Sequence, residues 1–176
     1  VLVDQKYDAR LIGNIGNPVL SEKKITKKTV FVIEASSYQL DYSKVFTSKY
    51  AVILNISPDH LERHKNLKNY VNAKFKLLTS QPSKSIAFVK KNDPLINEII
   101  NKKNFKQKII KVDSLKNDKM LKQLKNKYFL SFGNKENLSF ILKISKTLKL
   151  SNKDLFKTLN KFKGLKYRQQ IIYENK

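Results

Sequence analysis

Two features of this sequence predict an α/β fold, a mostly parallel sheet flanked by helices. Strand-like and helix-like segments alternate along the chain, the pattern that crossover connections between parallel strands require. Two of the strand-like runs, Val30-Phe31-Val32-Ile33 and Ala51-Val52-Ile53-Leu54, are continuously apolar. Such runs read as strands buried on both faces, the usual setting of a parallel sheet.

The predicted strands are Ala9-Ile12, Thr29-Ile33, Tyr50-Leu54, Ser85-Val89, Lys108-Val112 and Tyr128-Phe132. Helical periodicity covers Leu67-Leu78, Pro94-Asn101, Asn137-Leu148 and Asn152-Phe162. Ser151 is placed as the N-cap of the last helix, with Asp154 completing a capping-box-like pattern. The chain has only 4 glycines, so each is expected to serve the backbone. Gly13 and Gly16 bracket a turn directly after a strand, and Gly164 closes the last helix as its C-cap. Lys116 to Lys127 reads as an exposed helix or loop, and Gln169 to Tyr173 begins like a further strand.

Length and composition narrow the class. The 176 residues suit one domain, or one domain with a piece of another, and 40% hydrophobic content supports a true core. No apolar run approaches the roughly 20 residues that span a bilayer, so no membrane insertion is expected. The absence of cysteine excludes disulfides and thiolate metal sites and fits a reducing cytoplasm. A net charge of +23 invites a basic nucleic-acid-binding domain as an alternative. Against it, arginine occurs only at 10, 63 and 168, whereas base and bidentate phosphate recognition favour arginine. The lysines are also dispersed among Asn and Ile, as on solvated faces, so no specific nucleic acid is expected.

Several polar residues stand at strand ends. Glu34 follows the second strand, where a carboxylate serves either as a Mg²⁺ ligand or as a cap for the helix starting at Ser36 or Ser37. His60 follows Pro58-Asp59 beyond the third strand, as a metal ligand or simply as the first residue of a helix. His60 and His64 have i, i+4 spacing, but no His-Glu-x-x-His pattern is formed, and His64 reads as a surface residue. Gly13-Asn14-Ile15-Gly16 is either a phosphate-holding turn or an ordinary tight one. By spacing alone, Lys74 is one solvated helix lysine among many.

Taken in order, these residues resemble the Mur ligase family, ATP-dependent amide-bond ligases of bacterial cell-wall synthesis. The matching strings are Gly-Asn-Ile-Gly at 13–16, Glu-Ala-Ser-Ser-Tyr-Gln-Leu at 34–40 and Leu-Asn-Ile-Ser-Pro-Asp-His-Leu-Glu-Arg at 54–63. Tyr70, Ala73-Lys74, Asn134, Asn137 and Phe162-Lys163-Gly164-Leu165-Lys166-Tyr167-Arg168 extend the match. The 34–40 string points within the family to the branch that adds D-glutamate.

The resemblance implies a central ATP-binding domain over 1–164 and the start of a C-terminal ligase domain over 165–176. It implies an incomplete domain, because the family's phosphate loop lies just upstream of Val1. Glu34, His60 and Lys74 would form the catalytic, Mg²⁺-binding group, with Lys74 carbamylated to give the metal oxygen ligands. Asn14, Ser36 and Gln39 would contact the UDP-muramoyl substrate, and Asn134, Asn137 and Arg168 the ATP. The implied reactants are UDP-N-acetylmuramoyl-L-alanine, D-glutamate and ATP, handled by a cytoplasmic monomer. Another Mur or folylpolyglutamate-type ligase is the alternative within the family. The chain departs from the family at Ser131-Phe132-Gly133-Asn134, where Gly-x-His-Asn is usual, and at Tyr167, where histidine commonly precedes Arg168.

Overall fold

The computed structural model describes residues 1–114, 121 and 123–164. They form two compact units: Asp8–Val112, and Val1–Tyr7 with the described residues from Asp113 onward.

The first unit is built on parallel strands. β1 (Ala9–Gly13) pairs in parallel with β2 (Val30–Glu34), with Gly13 opposite Glu34. β3 (Tyr50–Ile53), β4 (Ile86–Lys90) and β5 (Lys108–Val112) form a second parallel sheet in that order. Helices α1 (Ser37–Tyr42), α2 (Leu61–His64), α3 (Leu67–Thr79) and α4 (Pro94–Lys102) follow β2, β3, α2 and β4 respectively. The predicted strands at 9, 29, 50, 85 and 108 are therefore present, shifted by at most a residue or two.

Which strand is buried differs from the prediction. β4 is central in its sheet, and Ala87, Phe88 and Val89 are fully buried. β2 is not: among the described residues it pairs only with β1, and Val32 and Ile33 are 47% and 38% exposed. A continuous apolar run measures the capacity for two-sided burial, and a strand at a sheet edge leaves part of it unused.

α3 forms because Asn66 caps its start, the side chain accepting the N–H of Asn69 at 2.9 Å. Its spacing places Tyr70, Val71, Phe75 and Leu78 on one buried face against β3 and β4 residues. Burying Phe75 and Leu78 completely contributes about 1.5–3 kcal/mol each. Below the helix, two buried amides close the polar ends. Gln107 donates to the carbonyl of Leu78 at 2.8 Å, and Gln81 to that of Ser48 at 3.0 Å.

The second unit packs α5 (Phe132–Thr147) and α6 (Asn152–Lys161) around Leu124, Phe129, Leu138, Leu155 and Leu159. The predicted strand Tyr128-Phe132 is absent. Lys127–Leu130 forms a 3-10 turn, and α5 starts at Phe132, ahead of the predicted 137. Asn126 decides this locally, its side chain accepting the N–H of Tyr128 at 3.0 Å and turning the chain.

Ser151 does cap α6, accepting the N–H of Asp154 at 3.3 Å, but the return arm of a capping box is replaced. The Ser151 N–H goes to the Gln5 side chain at 2.9 Å. Gly164 is likewise not the residue that closes α6. Phe162 occupies that place in extended conformation, and the Asn126 amide takes the Leu159 and Phe162 carbonyls at 2.8 and 2.6 Å. Gly164 has φ +83°, and a Cβ there would lie 2.8 Å from the Tyr128 ring. The expected strand from Gln169 and half of the 116–127 segment lie outside the described residues.

Candidate active site

The site grows from the ends of β2 and β3. At the first, Gly13 has φ +106°, and a Cβ would sit 2.4 Å from the Glu34 carbonyl oxygen. Only glycine lets the two strand ends approach this closely. Asn14 then donates its backbone N–H to the Glu34 carbonyl at 2.8 Å and its side-chain amide to Glu34 Oε1 at 3.0 Å. Asn14 thus orients the carboxylate. Glu34 is exposed, so the desolvation cost that a buried strand end would impose does not arise.

Glu34 does not cap the helix after it. Ser36 and Gln39 form a full capping box on α1 instead. Ser36 Oγ accepts the Gln39 N–H at 3.2 Å, and Gln39 Oε1 accepts the Ser36 N–H at 2.9 Å. The Glu34 carboxylate is therefore left facing solvent beside Asn14.

At the second strand end, His60 is the N-cap residue of α2 in left-handed conformation, φ 53° and ψ 35°. Its N–H is taken by Asp59 Oδ1 at 2.9 Å, which stabilises this uncommon backbone geometry. The imidazole stands 3.4 Å from Asp59 Oδ2 and 3.7 Å from Glu62 Oε1.

One chain of rings joins these pieces. Lys74 Nζ lies 5.1 Å from the Tyr70 ring centre, and Tyr70 meets the His64 ring edge-on at 5.5 Å. His64 stacks on Tyr38 at 5.6 Å, and Tyr38 reaches His60 at 4.9 Å. Successive ring contacts thus link Lys74 to His60 by way of Tyr38 on the helix that follows Glu34. His64, expected at the surface, is only 5% exposed and hydrogen-bonds Ser37 Oγ at 3.0 Å. His60 is the left-handed N-cap residue of α2, its carbonyl accepts the His64 N–H at 3.1 Å, and both rings lie against Tyr38.

Electrostatics tighten the cluster. Desolvation of the Tyr38 phenol, with the carboxylates of Glu62 and Asp59 nearby, pushes its pKa up and keeps it protonated. Arg63 donates to the Tyr42 hydroxyl at 2.5 Å and lies over the Tyr42 ring at 5.1 Å. Lys76 on α3 donates to Asp41 Oδ1 on α1 at 2.9 Å, and this hydrogen bond holds the Asp41 carboxyl below the usual range.

The nucleotide-side candidates lie in the second unit. Asn134, in the first turn of α5, is buried and donates to the Tyr128 carbonyl at 2.8 Å. Asn137 is exposed on the same helix. Arg168 lies outside the described residues. Asp93, which sequence reasoning passed over, is buried and accepts the Ile56 N–H of the β3–α2 loop. Its position directly before a helix-starting proline was the available signal.

Among the described residues, no three His, Asp or Glu side chains gather as a self-sufficient metal site. Mg²⁺ takes one or two carboxylates and fills its shell with water and phosphate oxygens. Glu34 offers an exposed, oriented carboxylate for this purpose.

Parallel strands flanked by helices define an α/β domain, here with polar residues at the strands' C-terminal ends, and the comparisons with known proteins resolve its family. The Mur ligase middle domain matches residues 10–163, and the chain belongs to that family. It is 31% identical over 194 residues to UDP-N-acetylmuramoylalanine–D-glutamate ligase of Rickettsia bellii, covering 98% of this chain and 42% of that protein. The ligase of the same name from Clostridioides difficile is 28% identical over 186 residues, covering 95% and 41%. The chain therefore spans less than half the length of these relatives. In three dimensions it resembles UDP-N-acetylmuramate:L-alanyl-gamma-D-glutamyl-meso-diaminopimelate ligase from Neisseria meningitides. That match has a TM-score of 0.69 at 13% identity, over 93% of this chain and 60% of the other. The likeness is one of fold.

Proposed function

We propose that this chain carries the metal-side half of an ATP-dependent ligase that joins D-glutamate to UDP-N-acetylmuramoyl-L-alanine. The reading is supported by the ring chain from Lys74 through Tyr70, His64 and Tyr38 to His60, and by the Asn14-held carboxylate of Glu34 at the end of the strand that precedes α1. The D-glutamate ligase relatives supply the reaction class. We read both structural units as parts of one central domain, with residues 165–176 opening the next. The protein would act in the cytoplasm as a monomer; no helix among the described residues is long and apolar enough to cross a membrane.

In this reaction ATP transfers its γ-phosphoryl group to the substrate carboxylate, releasing ADP. The amine of D-glutamate then attacks the acyl carbon, the C–N bond forms, phosphate leaves and the amine gives up a proton. Bound Mg²⁺ would supply charge neutralisation for the phosphoryl oxygens. Glu34 and His60 are the residues that would hold it, together with a carbamate on Lys74. Lys74 is half-buried with Nζ 5.1 Å from the Tyr70 ring centre, and carbamylation would exchange this cation–π contact for an anionic group with oxygen ligands. Asn14 would orient Glu34 while its turn faces the substrate diphosphate, and the Ser36–Gln39 box would present the start of α1 to the muramoyl part. Asn134, Asn137 and Arg168 would serve the nucleotide.

A segment exchange tests this. Residues 10–163 replace the matching segment of the Rickettsia bellii ligase, and phosphate release is measured with ATP, UDP-N-acetylmuramoyl-L-alanine and D-glutamate. Release that needs all three, is lost in Lys74→Ala and is partly restored by short carboxylates supports the reading. Turnover with another amino acid in place of D-glutamate would move the chain to a sister ligase. Normal turnover by Lys74→Ala would remove the carbamate assignment.

A further inference from the structure

Asp93 directly precedes α4 and hydrogen-bonds the loop that leads to His60. Its side chain is only 6% exposed, and both carboxylate oxygens are committed to backbone N–H groups of different segments. Oδ1 accepts from Ile96 at 3.0 Å, which makes Asp93 the N-cap of α4. Oδ2 accepts from Ile56 at 3.0 Å, across 37 residues of sequence. An N-cap needs only one acceptor. The second bond reaches into the loop between β3 and α2, four residues before His60.

That loop has few other fixed points. Ile56 is buried in the same core cluster as Ile96, whereas Ser57, Pro58 and Asp59 are exposed. From Ile56 the chain must arrive at His60 in left-handed geometry, with the imidazole against the Tyr38 ring. The place where the Ile56 N–H is pinned therefore sets where the loop leaves the sheet, and so where His60 stands.

We propose that Asp93 is a positioning residue: its second oxygen anchors the β3–α2 loop and places His60 for metal binding. The metal part rests on the function proposed above; the placement of His60 does not. Chemistry separates the two jobs of Asp93. Asparagine is as good an N-cap as aspartate, but it has one acceptor oxygen, and its NH₂ meets a second N–H without accepting it. Asp93→Asn thus keeps one of the two bonds, and Asp93→Ser keeps the cap while losing the reach.

The test uses the whole chain, with NMR of the Tyr38 and His60 rings and titration by Mn²⁺ alone. In Asp93→Asn and Asp93→Ser the ring-to-ring contact between Tyr38 and His60 should weaken and the Ile56 amide should exchange faster. Mn²⁺-induced broadening at His60 should require about tenfold more metal, the size typical of losing a supporting residue. Phe105→Leu, which loosens the same core through its contact with Phe75, is the control and should leave both readouts unchanged. An unchanged Tyr38–His60 contact in both Asp93 variants overturns the proposal. So does a weakened contact with unaltered Mn²⁺ affinity, or an equal loss in Phe105→Leu. If the unsubstituted chain shows no Mn²⁺ broadening at His60, the metal reading of His60 fails instead, and the ring contact alone decides whether Asp93 places it.

Discussion

The rings of His64 and Tyr38 lie 9° from parallel with centroids 5.6 Å apart, which binds the start of α1 to the end of α2. The same imidazole holds Ser37 Oγ at 3.0 Å. His64 is therefore a structural link between the segment that follows Glu34 and the segment that carries His60. His64→Ala should destabilise the chain by about 2–4 kcal/mol, through lost packing and an unpaired buried hydroxyl. His64→Phe keeps the stack and loses only the hydrogen bond, so about 1–3 kcal/mol is expected. Urea unfolding measures both, and equal losses in the two variants would show that the stack contributes nothing.

Ser36 and Gln39 satisfy one another in the capping box of α1. Ser36→Ala should cost about 1 kcal/mol of stability, and Ser36→Asp much less, because aspartate caps equally well. A Ser36→Ala chain as stable as the original would mean that the box is not what holds α1.

Gly13 admits no side chain at its place opposite Glu34. With a Cβ only 2.4 Å from the Glu34 carbonyl oxygen and φ at +106°, Gly13→Ala should separate the ends of β1 and β2. The expected loss is on the order of 2–4 kcal/mol, the range of strained or overpacked positions. Amide exchange at Asn14, whose N–H pairs with the same carbonyl, should rise in parallel. Retained protection there would contradict the steric account.

Acid stability follows from four carboxyls held below their ordinary range. Asp4 is lowered first by its hydrogen bond from Thr158, Asp8 and Glu22 by Arg10, and Asp41 by Lys76. A lowered folded-state value means that the unfolded chain binds protons first as pH falls. Their stabilisation is fully present above the ordinary carboxylate range, about pH 4, and disappears as pH drops through the folded values. The urea midpoint should therefore hold from neutral pH to about pH 5 and fall below it. Asp41→Asn and Lys76→Met should each flatten the fall, and a midpoint that rises on acidification would refute the assignment.

Much of the first unit was legible because its strands are short, β-branched and separated by periodic helices. β1 and β3 to β5 and the helices α3 and α4 rest on local pattern, and the capping residues Asn66 and Asp93 stand where composition allows them. What local pattern could not reveal depended on neighbours. The exposure of Val32 and Ile33 is decided by which strand lies beside β2, not by their own hydropathy. The burial of His64 depends on Tyr38 and Tyr70, which come from other elements. Tyr128-Phe132 has the apolar content of a strand, but Asn126 and the packing of Phe129 against α5 and α6 turn it into a 3-10 segment. At the candidate site, the residues were legible only as an ordered set. Their singling out came from resemblance, and the ring contacts that link His60 to Lys74 came from the fold.

Among the described residues, β2 bonds only to β1 and β3 only to β4, so each offers one row of backbone donors and acceptors to the surroundings. Unpaired edges of this kind recruit further strands, and Val32 and Ile33 add apolar surface beside one of them. In solution the net charge of +23 keeps copies apart, and added salt removes that protection. The chain should therefore scatter more light as sodium chloride is raised and return to small particles on dilution into low salt. Scattering independent of salt would mean that these edges are shielded.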